Sequence, residues 1–381
     1  MMNTEEQLLG MILSRIADEL NISDTMYNKA VSSYEAVGKW LGDGPDWGMV
    51  IMPQGSMNLG TVIRPIDDRD DYDIDLVCLL NKGKGLQANT VKRIVGDRLK
   101  DNKTYAGKLK SEGRRCWTMD YDEFHMDILP CVPNGLQYRY PGQTVIDLTD
   151  KDKMTGRYSF CQSDPAAYHD WFLKQAQPLI RLMNETMGNA EIKPVPSNAS
   201  RLKTPLQKSI QLLKRHRDIL FSGRQEDAPI SIIITTLAAK ACPHEINVYV
   251  ALKTIIETMH RFVEIRNDGY WVPNPVLANE NFAEKWNREP GKRRAFVEWL
   301  SCAKSDLVDK PITLDGLDEL AKLFKVKLGD APVTRAFSNL GDSVRSSREK
   351  GALRLSGLAS GLAIGSTASG TIVRPHTFYG S

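Results

Sequence analysis

The chain has 381 residues, about twice the size of a usual domain, so two packed lobes with a cleft between them are expected. Its 41% hydrophobic and 25% charged residues are those of an ordinary globular protein, and a net charge of +3 is too mild for a dedicated nucleic-acid coat. No run approaches the roughly 18 apolar residues that cross a bilayer, and the opening MMNTEEQLLGMILSRIADEL is amphipathic with early acids, unlike a signal peptide. A cytoplasmic protein is expected, with no membrane partner and no obligatory nucleic-acid partner. Six cysteines are scattered without a C-x-x-C pair, which reads as reduced thiols and not as a zinc site or disulfide framework.

Residues 4–41 show apolar positions at helical spacing. From Trp47 the pattern turns to short β-prone runs over residues 48–52, 74–80, 116–119 and 124–129, with an amphipathic helix over 90–103. A second regime begins near Asp164. Helices are predicted over 165–187, 204–221, 230–241, 246–266, 292–305 and 314–324, with a linker at 194–205 and no strand pattern among them. One last helix follows Asp330, and the end of the chain is too rich in Gly, Ser and Thr to pack tightly, which reads as a flexible tail. The fold class is therefore α+β, with N-terminal helices and a strand-bearing core over 1–163, a helical lobe over 164–330, and a final helix and flexible tail over 331–381.

Six aspartates crowd residues 67–75, but Asp73 and Asp75 differ from the others because they sit inside an apolar run. On a strand, residues two apart share a face, so these two carboxylates stand together while Ile74 and Leu76 point to the core. Like charges placed so are costly unless a cation neutralises them, and hard oxygen ligands of this kind suit magnesium. Asp127, in the apolar run FHMDILP, supplies a third carboxylate. Three acids can serve two ions about 3.5–4 Å apart, which stabilise the attacking and leaving oxygens of an in-line phosphoryl displacement. A solvated acidic loop and a satisfied core acid would explain each feature separately, but not their combination with the turn upstream.

That turn is QGSMNLGTVIRP, residues 54–65. Gly55 lets backbone N–H groups approach an anion, and the Ser56 hydroxyl adds a donor to a phosphate oxygen.

Together, QGSMNLGT, DYDIDL and HMDILP resemble the signature of polymerase-beta-type nucleotidyltransferases. TPLQKSIQLLKRHRD, PISIIITTLAA and PNPVLANENFAEKW are similar to the helical lobe of the bacterial CD-NTases, relatives of cGAS and DncV in CBASS anti-phage defence, and most similar to the CdnD branch. The resemblance covers nearly the whole chain. It implies a polymerase-beta-like core packed on a helical lobe and two magnesium ions, with manganese as a substitute, held by Asp73, Asp75 and Asp127. It further implies that Gln54, Gly55, Ser56, Lys214 and Ser231 bind nucleotide, that Asp127 helps activate the attacking hydroxyl, and that ATP and GTP are joined into a cyclic oligonucleotide, a trinucleotide of A and G. An RNA or small-molecule acceptor is the alternative.

Other readings compete for some of these residues. Lys214 lies in KRHR, which fits a solvated helix face, and Ser231 follows Pro229 as an N-cap would. His216 reads as exposed or structural, and Phe282 and Trp286, four apart, as helix packing. Leu59 and Ile232 stand where some relatives carry a base-stacking tyrosine. The family also implies a ubiquitin-activating-type ligase, or another operon regulator, as partner, with the terminal Ser381 as the conjugated residue.

Overall fold

The computed structural model describes residues 4–66, 72–135, 144–187 and 203–349, with 353–355, 362–364 and 371–372 beyond them. In chain order, α1 (Thr4–Glu19) and α2 (Asp24–Gly42) lead into β1 (Met49–Gln54), the one-turn α3 (Gly55–Asn58) and β2 (Tyr72–Leu80). Then come α4 (Ala88–Lys100), the short α5 (Lys103–Ala106), β3 (Trp117–Asp120), β4 (Phe124–Pro133), β5 (Ile146–Lys151) and β6 (Tyr158–Ser163). These strands form one mixed sheet in the order β1-β2-β4-β5-β6, with β3 on the leading half of β4. Only the β2–β4 pair is parallel.

Alternation along the strands divides the sheet into two faces. Ile74, Leu76 and Cys78 of β2, Trp117 and Met119 of β3, and Met126 and Ile128 of β4 bury against α2 and α4. Asp73, Asp75, Thr118 and Asp127 occupy the opposite face, since successive side chains on a strand point to opposite sides. The sequence reading did not find β5 and β6. The run IDLTDK of β5 carries acids that mask its alternation, and neighbouring side chains satisfy them. Asn134 Nδ2 donates to Asp147 at 2.7 Å, and the Arg114 fork grips Asp150 at 2.7 and 2.9 Å.

The helical lobe follows directly, with α6 (Pro165–Met187), α7 (Pro205–Leu220), α8 (Ser231–Ala241) and α9 (Val248–Thr258). The helix expected over 246–266 ends early. Its last residues instead form β7 (Glu264–Arg266), which pairs with β8 (Gly269–Trp271) across the two-residue turn Asn267–Asp268. Asp-Gly at the close of such a turn is a hairpin signal, so a strand pair lies in a lobe expected to be wholly helical. The lobe continues through α10 (Glu284–Arg288), α11 (Pro290–Lys304), α12 (Leu317–Leu328) and α13 (Asp330–Glu349). Three short antiparallel strands follow in the Gly/Ser-rich tail, β9 (Leu353–Leu355), β10 (Leu362–Ile364) and β11 (Thr371–Ile372).

The first helix does not join the sheet. Leu9, Ile12, Leu13 and Ile16 of α1 bury with Ile210 and Leu213 of α7 and Leu252 and Ile255 of α9, so this helix belongs to the core of the helical lobe.

A buried acid pins the base of this lobe. After α11 a π-turn over Ser305–Asp309 carries Asp306 inward, where it is 3% exposed and meets His216 Nε2 at 3.3 Å, Lys310 Nζ at 2.8 Å and Lys327 Nζ at 2.9 Å. Burial pushes this carboxyl up, but hydrogen bonds from His216, Lys310 and Lys327 outweigh it and hold it well below its ordinary value of 3.8. A carboxyl depressed on folding adds stability that is complete above its unfolded pKa and is lost as pH falls through the folded value. Asp306→Asn is expected to cost on the order of 2 kcal/mol at pH 7, below the usual range for a broken buried pair because both lysines reach solvent. Urea unfolding of both proteins checks this: the gap should be constant above about pH 5 and shrink below about pH 4.

Candidate active site

Asp75 of β2 lies directly opposite Asp127 in the parallel β2–β4 register, and Asp73 lies opposite His125. Adjacent strands run about 4.8 Å apart, so the three acids form one patch on the sheet face turned away from α2 and α4. Asp73 is exposed, while Asp75 and Asp127 are half-buried. Asp75 feels the crowding. Burial, then the charges of Asp127 and Asp73, push its carboxyl up to about 7, against an opposing pull from Lys214. Asp127 is steadied from the neighbouring strand, where the Thr118 hydroxyl donates to its Oδ1 at 2.5 Å.

Among the described residues, no three or more His, Cys, Asp or Glu side chains are already gathered into a metal-ligand set. The acids share a face in register without converging, as suits like charges. Their chemistry nonetheless fits a divalent cation. They present hard oxygen donors, and the repulsion that raises Asp75 is what a cation among them relieves.

The glycine turn is built against the same acid. Gln54 ends β1 paired with Asp75, and Gly55 follows at φ +69°, in the left-handed region. A Cβ on Gly55 would stand 2.1 Å from Asp75 Oδ2, so both the conformation and the close approach require glycine. Ser56 lies in the one-turn α3, and its carbonyl accepts from Thr61 N at 2.9 Å to close the turn.

The KRHR run is not a solvated helix face. Lys214, Arg215 and His216 are all buried, with Lys214 Nζ donating to Thr61 O at 3.1 Å, Arg215 to the carbonyls of Arg64 and Pro65, and His216 to the Asp306 cluster. Burial and the charge of Arg217 lower the Lys214 ammonium to about 7, while Asp218 and Asp75 oppose the shift. Ser231 is the first residue of α8, and Ile230 takes the N-cap position. Its hydroxyl accepts from Arg217 Nη1 at 2.9 Å. The structure thus joins Asp73, Asp75 and Asp127 to the Gln54–Gly55 turn and Lys214 to the segment after that turn, and links Ser231 to Arg217.

Two residues escaped the sequence reading, Thr118 and Arg217. Arg217 is one helical turn beyond Lys214 in the same basic run and is the half-exposed cation of that run. Thr118 sits in the β-prone CWTMD with nothing in its spacing to mark it. Leu59 is buried in the core of the helical lobe and Ile232 packs against that core. Phe282 precedes α10, and both it and Trp286 pack into the core of the helical lobe, in keeping with a structural role. Phe282 meets Tyr168 and Trp286 meets Phe296. Ser381 lies outside the described residues. Among the described residues no helix is long and apolar enough to cross a membrane.

Comparison with known proteins agrees with this arrangement. Residues 8–175 match the Second Messenger Oligonucleotide or Dinucleotide Synthetase domain, SMODS. The chain is 29% identical over 377 residues to a c-di-GMP synthase of Roseivirga ehrenbergii, covering 97% of this chain and 96% of that one. It is 26% identical over 382 residues to the cyclic dinucleotide synthase CdnG of Bradyrhizobium diazoefficiens, covering 92% of this chain and 88% of the relative. The structure of that CD-NTase in complex with GTP superposes with a TM-score of 0.69 at 21% identity, over 87% of this chain and 99% of that one. Residues 8–175 thus match the model of a second-messenger nucleotide synthetase domain, and over nearly its whole length the chain is similar to these cyclic dinucleotide synthases.

Proposed function

We propose that the protein joins ATP and GTP through successive phosphodiester bonds, releasing pyrophosphate at each, and closes the product into a cyclic oligonucleotide for anti-phage signalling. The observation that carries this is the Asp73, Asp75 and Asp127 patch with Gly55 pressed against Asp75. Asp73, Asp75 and Asp127 would hold magnesium, or manganese in its place, which when bound neutralises charge on the triphosphate and the reacting oxygens. Gln54, Gly55 and Ser56 receive phosphate oxygens at the turn, with Lys214 adding positive potential behind Thr61 and Ser231 presented beside Arg217. Asp127 takes the proton of the attacking hydroxyl, whose oxygen bonds to the α-phosphorus as pyrophosphate departs. Positioning supplies much of the rate, because this reaction needs little covalent help from protein.

Relatives named for cyclic dinucleotides match over nearly the full length, which favours a ring of two purine nucleotides. A trinucleotide of A and G is the reading that the CdnD-like motifs support. The interlobe division near residue 163 fits the same scheme, since β6 ends at Ser163 and α6 starts at Pro165. Ser381 would be the residue conjugated by a ubiquitin-activating-type ligase. Removal of Ser381 should abolish conjugation by that ligase in a purified reaction, and unchanged conjugation rejects the assignment.

Incubation with all four nucleoside triphosphates and magnesium, then phosphatase treatment and mass spectrometry, should yield a phosphatase-resistant purine product whose mass gives the ring size. Product that forms only when RNA or a small hydroxylated acceptor is added would reassign the acceptor. Asp75→Asn and Asp127→Asn should each lower pyrophosphate release at least about 10³-fold, as loss of a preorganised charge in a transition state does, with an unchanged circular dichroism spectrum. Gly55→Ala should lower turnover about 10²-fold, the effect of displacing a reacting group by about 1 Å, and wild-type turnover would separate the turn from the chemistry.

A further inference from the structure

Asp127 has two carboxylate oxygens, and the structure commits one of them. Thr118 of β3 lies directly opposite Asp127 in the antiparallel β3–β4 register, and its Oγ1 donates to Asp127 Oδ1 at 2.5 Å. The alternation of β3 fixes this geometry. Trp117 and Met119, on either side of Thr118, are buried in the core with α4, and the Trp117 indole donates to Lys92 O at 2.9 Å. Thr118 is thereby turned to the acid face, and its β-branched side chain has few rotamers. A half-buried hydroxyl on that face needs an acceptor, and a carboxylate is the strongest available.

We infer that Thr118 is a positioning residue for the transfer reaction, binding Asp127 Oδ1 so that Oδ2 is presented to the divalent cation and the attacking hydroxyl. The inference rests on the reading of Asp127 as a metal-holding acid. Without the hydroxyl, only the weaker Cys116 thiol beside it, just ahead of β3, is left to hold Asp127 from that side, and the charge of Asp127 is spread over orientations that do not face Asp75. The hydrogen bond also occupies a lone pair of the oxygen bonded to β3, which would leave the other oxygen for a cation held together with Asp73 and Asp75 of β2. Loss of a partner that orients a metal ligand typically lowers metal affinity or activity by 10–100-fold.

The test is the magnesium dependence of pyrophosphate release at saturating ATP and GTP, measured on the full chain. Thr118→Val keeps the shape and removes the donor, and Thr118→Ser keeps the donor and removes a methyl group. Thr118→Val should raise the half-saturating magnesium concentration about 10-fold or more without a change in melting temperature, and Thr118→Ser should return it to within about 2-fold of wild type. A Thr118→Val curve that superimposes on wild type overturns the inference. So does an equal defect in both variants, which reports lost packing. Asp127→Asn is the discriminating control: if it abolishes release while Thr118→Val is normal, only the Thr118 assignment falls, whereas wild-type release by Asp127→Asn removes the reading of Asp127 and the inference with it.

Discussion

The arrangement depends on a row of side chains from α7 that grips the carbonyls of an extended segment in the other lobe. Residues 59–65 make no sheet ladder, and buried backbone groups need partners. Gln207 donates to Leu59 O at 3.0 Å, Lys214 to Thr61 O at 3.1 Å, Gln211 to Val62 O at 2.7 Å, and Arg215 to the carbonyls of Arg64 and Pro65. Positions 207, 211 and 215 recur every four residues, and 214 lies beside them, so one helix face makes every contact. Gln207 also closes the capping box with Thr204, which ties the start of the helix to the same grip. The other face of α7 sends Ile210 and Leu213 into the core of the helical lobe. The glycine turn is therefore fixed in space by the lobe that faces it.

The sheet contributes electrostatics instead of grip. Its covered face is filled by apolar side chains from three strands, and the same alternation leaves the acids together on the other face. A one-residue slip of β2 against β4 would bury Asp73 and Asp75 under α2 and α4, so the hydrophobic face that stabilises the core also sets the register of the site.

Much of this was legible in the sequence where polarity broke an otherwise regular pattern. Asp73, Asp75 and Asp127 are conspicuous because acids rarely interrupt apolar strands, and α6 was bounded by its prolines and its spacing. What escaped did so for physical reasons. The acids of β5 are paired with Asn134 and with the Arg114 and Arg115 side chains, partners invisible along the chain, so that strand looked like a loop. The burial of Lys214 and Arg215 was not legible because their partners are backbone carbonyls about 150 residues away, which carry no sequence signature. Position in the chain likewise gave no hint that α1 completes the core of the distant helical lobe.

The half-buried Asp75 and the buried Lys214 complete the physical picture at the centre. Burial drives Asp75 up and Lys214 down, each to about 7, and each draws the other partway back toward its charged form. Neither is fully compensated by the other, because Asp127 and Asp73 load the acid side while Arg217 loads the basic side. Such a site gains most from a ligand that carries both signs in fixed relation. The proposed substrate, a nucleoside triphosphate with its divalent cation, is such a ligand, since the cation would answer the three carboxylates while the phosphates would answer Lys214 and Arg217. The strain of holding like charges in register on one sheet face would then be relieved by the proposed substrate itself.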